Sequence, residues 1–144
     1  MEDRTRFSRA VLRRIRVACG DDFIIGLSVS DAPDVEAALS CEDTVEIVAL
    51  HDAQKLMDYV TVGSGRYFDF SKILPTFTYA DKQTVDLSAR LKSVVTHALV
   101  TAESLIRTPE TANKVLGTKV TFAAVCRAIR NAGDGVGGLI RFPA

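Results

Sequence analysis

Phe7, Val11, Ile15 and Ala18 recur at the spacing of one helix face, and Gly20 stands where a C-cap would sit. Together they predict a helix over residues 5–19. The run DDFIIGLSVSD (21–31) follows, apolar almost throughout between acidic residues. That is the pattern of a strand at 23–30 buried on both faces, which the first helix would cover. Ser40 with Asp43 three residues on is a capping box with the shorter acid. It opens a helix to about Leu56, with Val45, Val48, Ala49 and Leu56 as its buried face. MDYVTVGS (57–64) is a second strand. A long loop, GRYFDFSKILPTFTYAD, leads to a helix over about 82–95 with Val85, Leu87, Leu91 and Val95 in the core. HALVTA (97–102) is a third strand. Thr108-Pro109-Glu110 supplies a hydroxyl N-cap, a proline at the first helical position and an acid in the first turn, and that helix stops at Gly117. KVTFAAV (119–125) is a fourth strand, and CRAIRNAG makes a short helical turn.

A helix followed by strand–helix four times over implies parallel strands joined by right-handed crossovers, hence an α/β protein. Four buried strands leave two sheet edges that something must cover. A complete (β/α)8 barrel takes about 250 residues. The chain has 144, one domain by length, so the count suggests a partial (half) TIM-type (β/α) barrel with four parallel strands alternating with helices. A small open doubly wound sheet is the competing arrangement, and spacing does not separate the two.

Charge and chemistry narrow the function classes. The formal net charge is zero, so the chain as a whole has no pull on nucleic acid or anionic lipid. No apolar run reaches the length of a membrane span, and the Arg-rich start lacks the apolar stretch of a secretory signal. Cys19, Cys41 and Cys126 form no C-x-x-C pattern and read as reduced thiols of a cytoplasmic protein. Arg6, Arg9, Arg13 and Arg16 stripe the first helix, joined by Arg4 and Arg14, which reads as a solvated or partner-facing side because no aromatic stacking platform accompanies them. His51 and His97 are the only imidazoles, and each reads as a surface or edge residue. Asp21–Asp22 and Glu42–Asp43 suit turns and helix first turns better than acid–base pairs. No metal-ligand pattern is visible. GDGVGG (133–138) satisfies a dinucleotide motif formally, but a helical turn precedes it and only LIRFPA follows, so it reads as a flexible tail. Tyr67, Phe68, Phe70, Phe77 and Tyr79 crowd one loop at the C-terminal end of a strand, where they can line a substrate mouth, or equally pack under the loop itself or against the missing half of a barrel.

DRTRF followed by IRVACGDDFIIGLSVSD resembles the middle of the old yellow enzyme family of flavin oxidoreductases, in its branch of dienoyl-CoA reductases and trimethylamine dehydrogenase. Arg4, Arg6, Phe7, Arg16, Gly20, Asp22, Phe23, Gly26 and Ser30 fall into the family's pattern there. MDYVTVGSGRYFD resembles its sixth strand and following loop, LIRTPETANKVL the segment after strand seven, and VCRAIRNAGD the end of strand eight. The resemblance implies that residues 1–134 are strands five to eight of a barrel and residues 135–144 a flexible tail, so that residue 1 falls where a complete enzyme would be halfway through.

It also implies FMN at the C-terminal mouth of the barrel and NAD(P)H as reductant, with hydride transfer between flavin and an activated alkene or an N-methylamine. Residue by residue the match thins. The family's strand-five arginine, which sets charge against the flavin ring, aligns with Ser28. Its Gly-Arg pair at the phosphate aligns with Ser104 and Leu105, whereas Arg127 matches the strand-eight arginine and is the candidate for the FMN phosphate. The aspartate opening that strand is Thr121 here, and its Asp-Pro becomes Gly133-Asp134. The catalytic pair lies in the half not present, so no catalytic residue is assigned. The expectation is a fragment or half of an FMN-dependent oxidoreductase, inactive alone and completed by a complementary half-barrel or by a second copy. The alternative is a non-enzymatic half-barrel that self-associates or binds a partner through its open edges.

Overall fold

The computed structural model describes residues 2–31, 39–64, 84–103, 106 and 108–123. Helix α1 spans Glu2–Cys19, strand β1 Gly26–Asp31, α2 Cys41–Ala53, β2 Tyr59–Ser64, α3 Val85–Val94, β3 Leu99–Ala102, α4 Pro109–Leu116 and β4 Phe122–Ala123. All strand pairs are parallel, and the sheet order is β1-β2-β3-β4. A doubly wound sheet reverses its strand order at a switch point. The described strands contain no such reversal.

Local chemistry explains most boundaries. Gly20, at φ +86°, closes α1 with its N–H on the Arg16 carbonyl at 2.9 Å. Ser40 Oγ accepts from Asp43 N at 3.0 Å while the Asp43 carboxylate accepts from Ser40 N at 3.1 Å, the reciprocal box read from the sequence. Thr108 Oγ1 accepts from Thr111 N at 3.1 Å ahead of Pro109. The first helix begins a turn earlier than 5–19, with Glu2 and Asp3 in its first turn.

One face of the sheet meets the helices. Val60, Val62, Val100 and Ala102 join Val48 of α2, Leu87 and Leu91 of α3, and Ala112 and Val115 of α4 in a single core. The predicted positions Val85, Leu87, Leu91 and Val95 are all buried there. Leu56 is buried too, but beyond the end of α2 and in a separate small cluster with Leu12 and Ile25.

The opposite face is open among the described residues. Side chains alternate along a strand, so the cross-strand row Ser28, Thr61, Thr101 and Phe122 lies on this face, with Gly26, Tyr59 and Leu99 as the next row. Tyr59, Leu99 and Phe122 are exposed. Gly26 is required by contact: a Cβ there would stand 2.2 Å from the Tyr59 ring, which lies across it.

Two expectations hold only in part. The strand expected at 23–30 begins at Gly26, is an edge strand, and is not buried on both faces; Phe23 and Ile24 are exposed, and Ser28 faces solvent. Of the stripe Phe7, Val11, Ile15 and Ala18, Ile15 packs with Leu12 against Ile25 just ahead of that strand, whereas Phe7, Val11 and Ala18 are exposed. The buried residues of α1 are Thr5 and Leu12. The segments 65–83 and 124–144, with the aromatic loop, the helical turn, GDGVGG and the tail, lie outside the described residues. Among the described residues, no helix is long and apolar enough to cross a membrane.

Candidate functional site

Parallel strands give the sheet two chemically distinct ends, and polar side chains gather at both. At the N-terminal end, Asp52 is 2 % exposed in the last turn of α2. Its carboxylate accepts from Thr96 N at 2.7 Å, Thr96 Oγ1 at 3.0 Å, His97 N at 3.1 Å and Ala98 N at 2.6 Å. Burial alone would raise this carboxyl, but the backbone donors of Thr96, Ala98 and His97 outweigh it and hold the pKa below the ordinary aspartate value. Nearby, Asp58 accepts from Ile25 N at 2.7 Å and from the Arg16 guanidinium at 2.9 Å, with His97 Nε2 at 3.8 Å. Burial again opposes ionisation, and the Ile25 amide and Arg16 overcome it. Arg16 also donates to the carbonyls of Asp21 at 2.9 Å and Phe23 at 2.6 Å. These groups fasten the turn before β1 to the start of β2. They hold structure at the N-terminal ends of the strands.

At the C-terminal ends the described residues are Ser30 and Asp31 of β1, Gly63 and Ser64 of β2, Ala102 and Glu103 at β3, and Ala123 of β4. Glu103 shares a face with Leu99 and Thr101, the open face, and its Oε1 lies 3.9 Å from where a Gly63 Cβ would be. Among the described residues it has no ion-pair partner, and burial pushes its carboxyl above the ordinary range. Thr84, fully buried, donates its hydroxyl to the Glu103 carbonyl and so anchors α3 to the end of β3.

A carboxyl of this kind can hold a proton closer to neutral pH than a solvated one, or accept from a cationic group. Its raised pKa has a sign that can be checked. Below the ordinary glutamate value of about 4.3 both folded and unfolded chains are protonated, and stability falls as pH rises through the folded value. Glu103→Gln is therefore expected to match the wild-type urea midpoint near pH 4 and exceed it at pH 7. Coincident midpoints at both pH values would refute the burial of this carboxylate.

Among the described residues, those singled out from the sequence are not brought together. Ser28 stands on the open face of β1, short of the strand end. Thr121 precedes β4 and is structural: its N–H donates to the Val100 carbonyl at 2.9 Å, and its Oγ1 accepts from Val100 N at 3.2 Å. Ser104, Leu105, Arg127, Gly133 and Asp134 lie outside the described residues. His51, expected at the surface, is fully buried between α1 and α2, with Nδ1 2.6 Å from the Ile47 carbonyl and Nε2 2.9 Å from Ser8 Oγ. His97 sits before β3 with its side chain partly exposed, as expected of an edge residue. Asp52, Asp58 and Glu103 had no signal in local spacing, since the groups that set their chemistry lie tens of residues away.

Flavin phosphate needs cations or free amides at the strand ends, and the ring needs positive charge beside it. The described strand ends carry no Lys or Arg, Glu103 places a carboxylate there, and Ser28 offers only a hydroxyl. Among the described residues, no side-chain cation therefore stands at the strand ends to hold an FMN phosphate, and the phosphate role read for Arg127 rests on sequence alone.

No family model matches the chain. It is 30 % identical over 131 residues, 88 % of its length, to N,N-dimethylglycine/sarcosine dehydrogenase of Chromohalobacter salexigens. It is 28 % identical over 129 residues, 89 % of its length, to NADH oxidase of Thermoanaerobacter brockii. The chain spans 19 % and 20 % of those two relatives. Its fold is similar to a chain of 2-naphthoyl-CoA reductase in complex with 2-naphthoyl-CoA, with a TM-score of 0.66 at 20 % identity over 85 % of this chain and 19 % of that one. The sequence relatives are oxidoreductases, and the structural likeness extends to the fold.

Proposed function

We propose that the chain is the C-terminal half of a (β/α)8 barrel from a flavin- and NAD(P)H-dependent oxidoreductase of the old yellow enzyme type, inactive without the other half. The observation that carries this reading is the unreversed parallel order β1-β2-β3-β4, with helices on one face and an open opposite face. That open face corresponds to a barrel interior. The oxidoreductase relatives match nearly the whole chain yet are about five times longer, which supports a part of such an enzyme. In this reading the complementary half supplies the remaining strands and the groups that handle substrate, an activated alkene or an N-methylamine. Glu103 then lies at the mouth, where it can hold a proton or orient a basic substrate nitrogen.

A second reading has its own observation. The carboxylate of Glu103 at a strand end where phosphate would need a cation favours a flavin-free module that associates through its open edges.

Titrating the purified chain into FMN while following flavin fluorescence, with sedimentation alongside, separates the two. Saturable quenching at micromolar chain supports the enzyme half and points to Arg127 for phosphate. Unchanged fluorescence with a defined dimer sinks that reading in favour of the module.

A further inference from the structure

α1 turns one side to α2, and a different side carries an apolar groove of about 480 Å³, lined among others by Phe7, Ala10, Val11, Arg14 and Ala18. Phe7 is 81 % exposed and Val11 41 %. Ala10 and Ala18 among the lining residues keep parts of this face low, which leaves room for side chains of a second helix. The groove follows a helix of 18 residues, about 27 Å long, so it suits an elongated occupant.

Charge identifies that occupant. α1 carries six arginines against two carboxylates, both in its first turn, a net of +4. A chain with zero total charge therefore carries −4 elsewhere. Four of the six arginines are engaged within the chain: Arg4 with Asp43, Arg9 with the Glu2 carbonyl, Arg13 with Gln54 and Arg16 with Asp58. Arg6 and Arg14 are exposed and have no ion-pair partner among the described residues. Arg14 lines the groove itself, so anything seated there desolvates its guanidinium and must bring a carboxylate to meet it.

We propose that this face of α1 is a docking seat for an acidic amphipathic helix of another polypeptide, its apolar stripe against Phe7 and Val11 and its carboxylates on Arg14 and Arg6. A lipid surface fits less well. The apolar band is narrow, two of its members are alanines, and a guanidinium lies within it, whereas interfacial helices present a broad face of bulky residues. A second copy of the chain through α4 fits less well too, since Glu110 and Lys114 cancel on that helix and it brings no net negative charge to meet the arginines. The seat stands on α1 alone and does not depend on the half-barrel reading.

The test uses the full chain and two stapled helical peptides about as long as α1. Both carry the same Leu/Ala stripe, one flanked by Glu and the other by Lys. Fluorescence anisotropy should show saturable binding of the Glu peptide, weakened by salt, and binding of the Lys peptide at least about tenfold weaker, a difference of about 1.4 kcal/mol. Val11→Glu should abolish binding. Arg14→Glu should weaken the Glu peptide and rescue the Lys peptide, an exchange that misfolding cannot mimic. Equal binding of both peptides, or none, overturns the proposal. So does capture by phosphatidylserine vesicles, or a chain dimer by sedimentation, if either is lost in Val11→Glu, since a lipid or a second copy would then be the occupant.

Discussion

Asp52→Ala is expected to lower the unfolding free energy by about 2–4 kcal/mol, because one buried carboxylate satisfies three consecutive backbone amides. Each orphaned donor costs about 1–3 kcal/mol when buried. Ala98 is buried, whereas Thr96 and His97 are exposed enough for water to reach their amides, which keeps the total below the sum of three full penalties. Asp52→Asn should cost nearly as much, since one of its two oxygens becomes a donor facing donors. Urea unfolding followed by far-ultraviolet circular dichroism measures both variants. The pH dependence has a definite sign. The folded carboxyl sits below its unfolded value of about 3.9, so its contribution is complete above that pH and is lost as pH falls through the folded value. Wild type and Asp52→Asn should thus converge under acid conditions. A loss under about 1 kcal/mol at neutral pH would mean that the turn before β3 closes without this clamp.

His51→Ala is expected to cost about 2–4 kcal/mol, from a cavity in a fully buried site and a broken polar contact between two helices. The Ile47 carbonyl accepts a hydrogen bond from Nδ1, and Nε2 pairs with the Ser8 hydroxyl at 2.9 Å. That hydroxyl also donates to the Thr5 carbonyl at 3.0 Å, which remains to it when the ring is removed. Ser8→Ala should therefore be the milder change, about 1 kcal/mol, and the double variant should cost less than the two singles together. Strict additivity would show that the pair is adjacent without being coupled.

The order and type of the elements were legible because their signals are local. The Ser40–Asp43 box, Thr108-Pro109 and Gly20 each fix a helix end with residues a few positions apart. What local pattern could not show was which of two sides of α1 is buried. Phe7, Val11 and Ala18 of the apolar stripe are exposed, whereas Leu12 packs against Ile25 and Leu56 and Ser8 meets a histidine of α2 43 residues away. The same limit hid the site chemistry. Asp52 reads as an ordinary acid near a helix end until the amides of residues 96–98 close on it, and Glu103 acquires its raised pKa only from burial beside β2. The resemblance marked Ser28 as a replaced flavin contact, a hydroxyl where the family carries a charge, and the structure adds the carboxylate that makes the strand ends less suited to phosphate.

Every pairing in this sheet joins a strand to the one that follows it in the chain. No strand is inserted between two earlier ones, so each strand–helix unit leans on its immediate neighbours, much as in a repeat protein. Such a molecule can grow from either edge by adding a unit without breaking an existing pair. Cuts between units leave the remaining ladder intact. The architecture is therefore one that gene duplication, fission and fusion can extend or divide while each piece keeps a core to fold around.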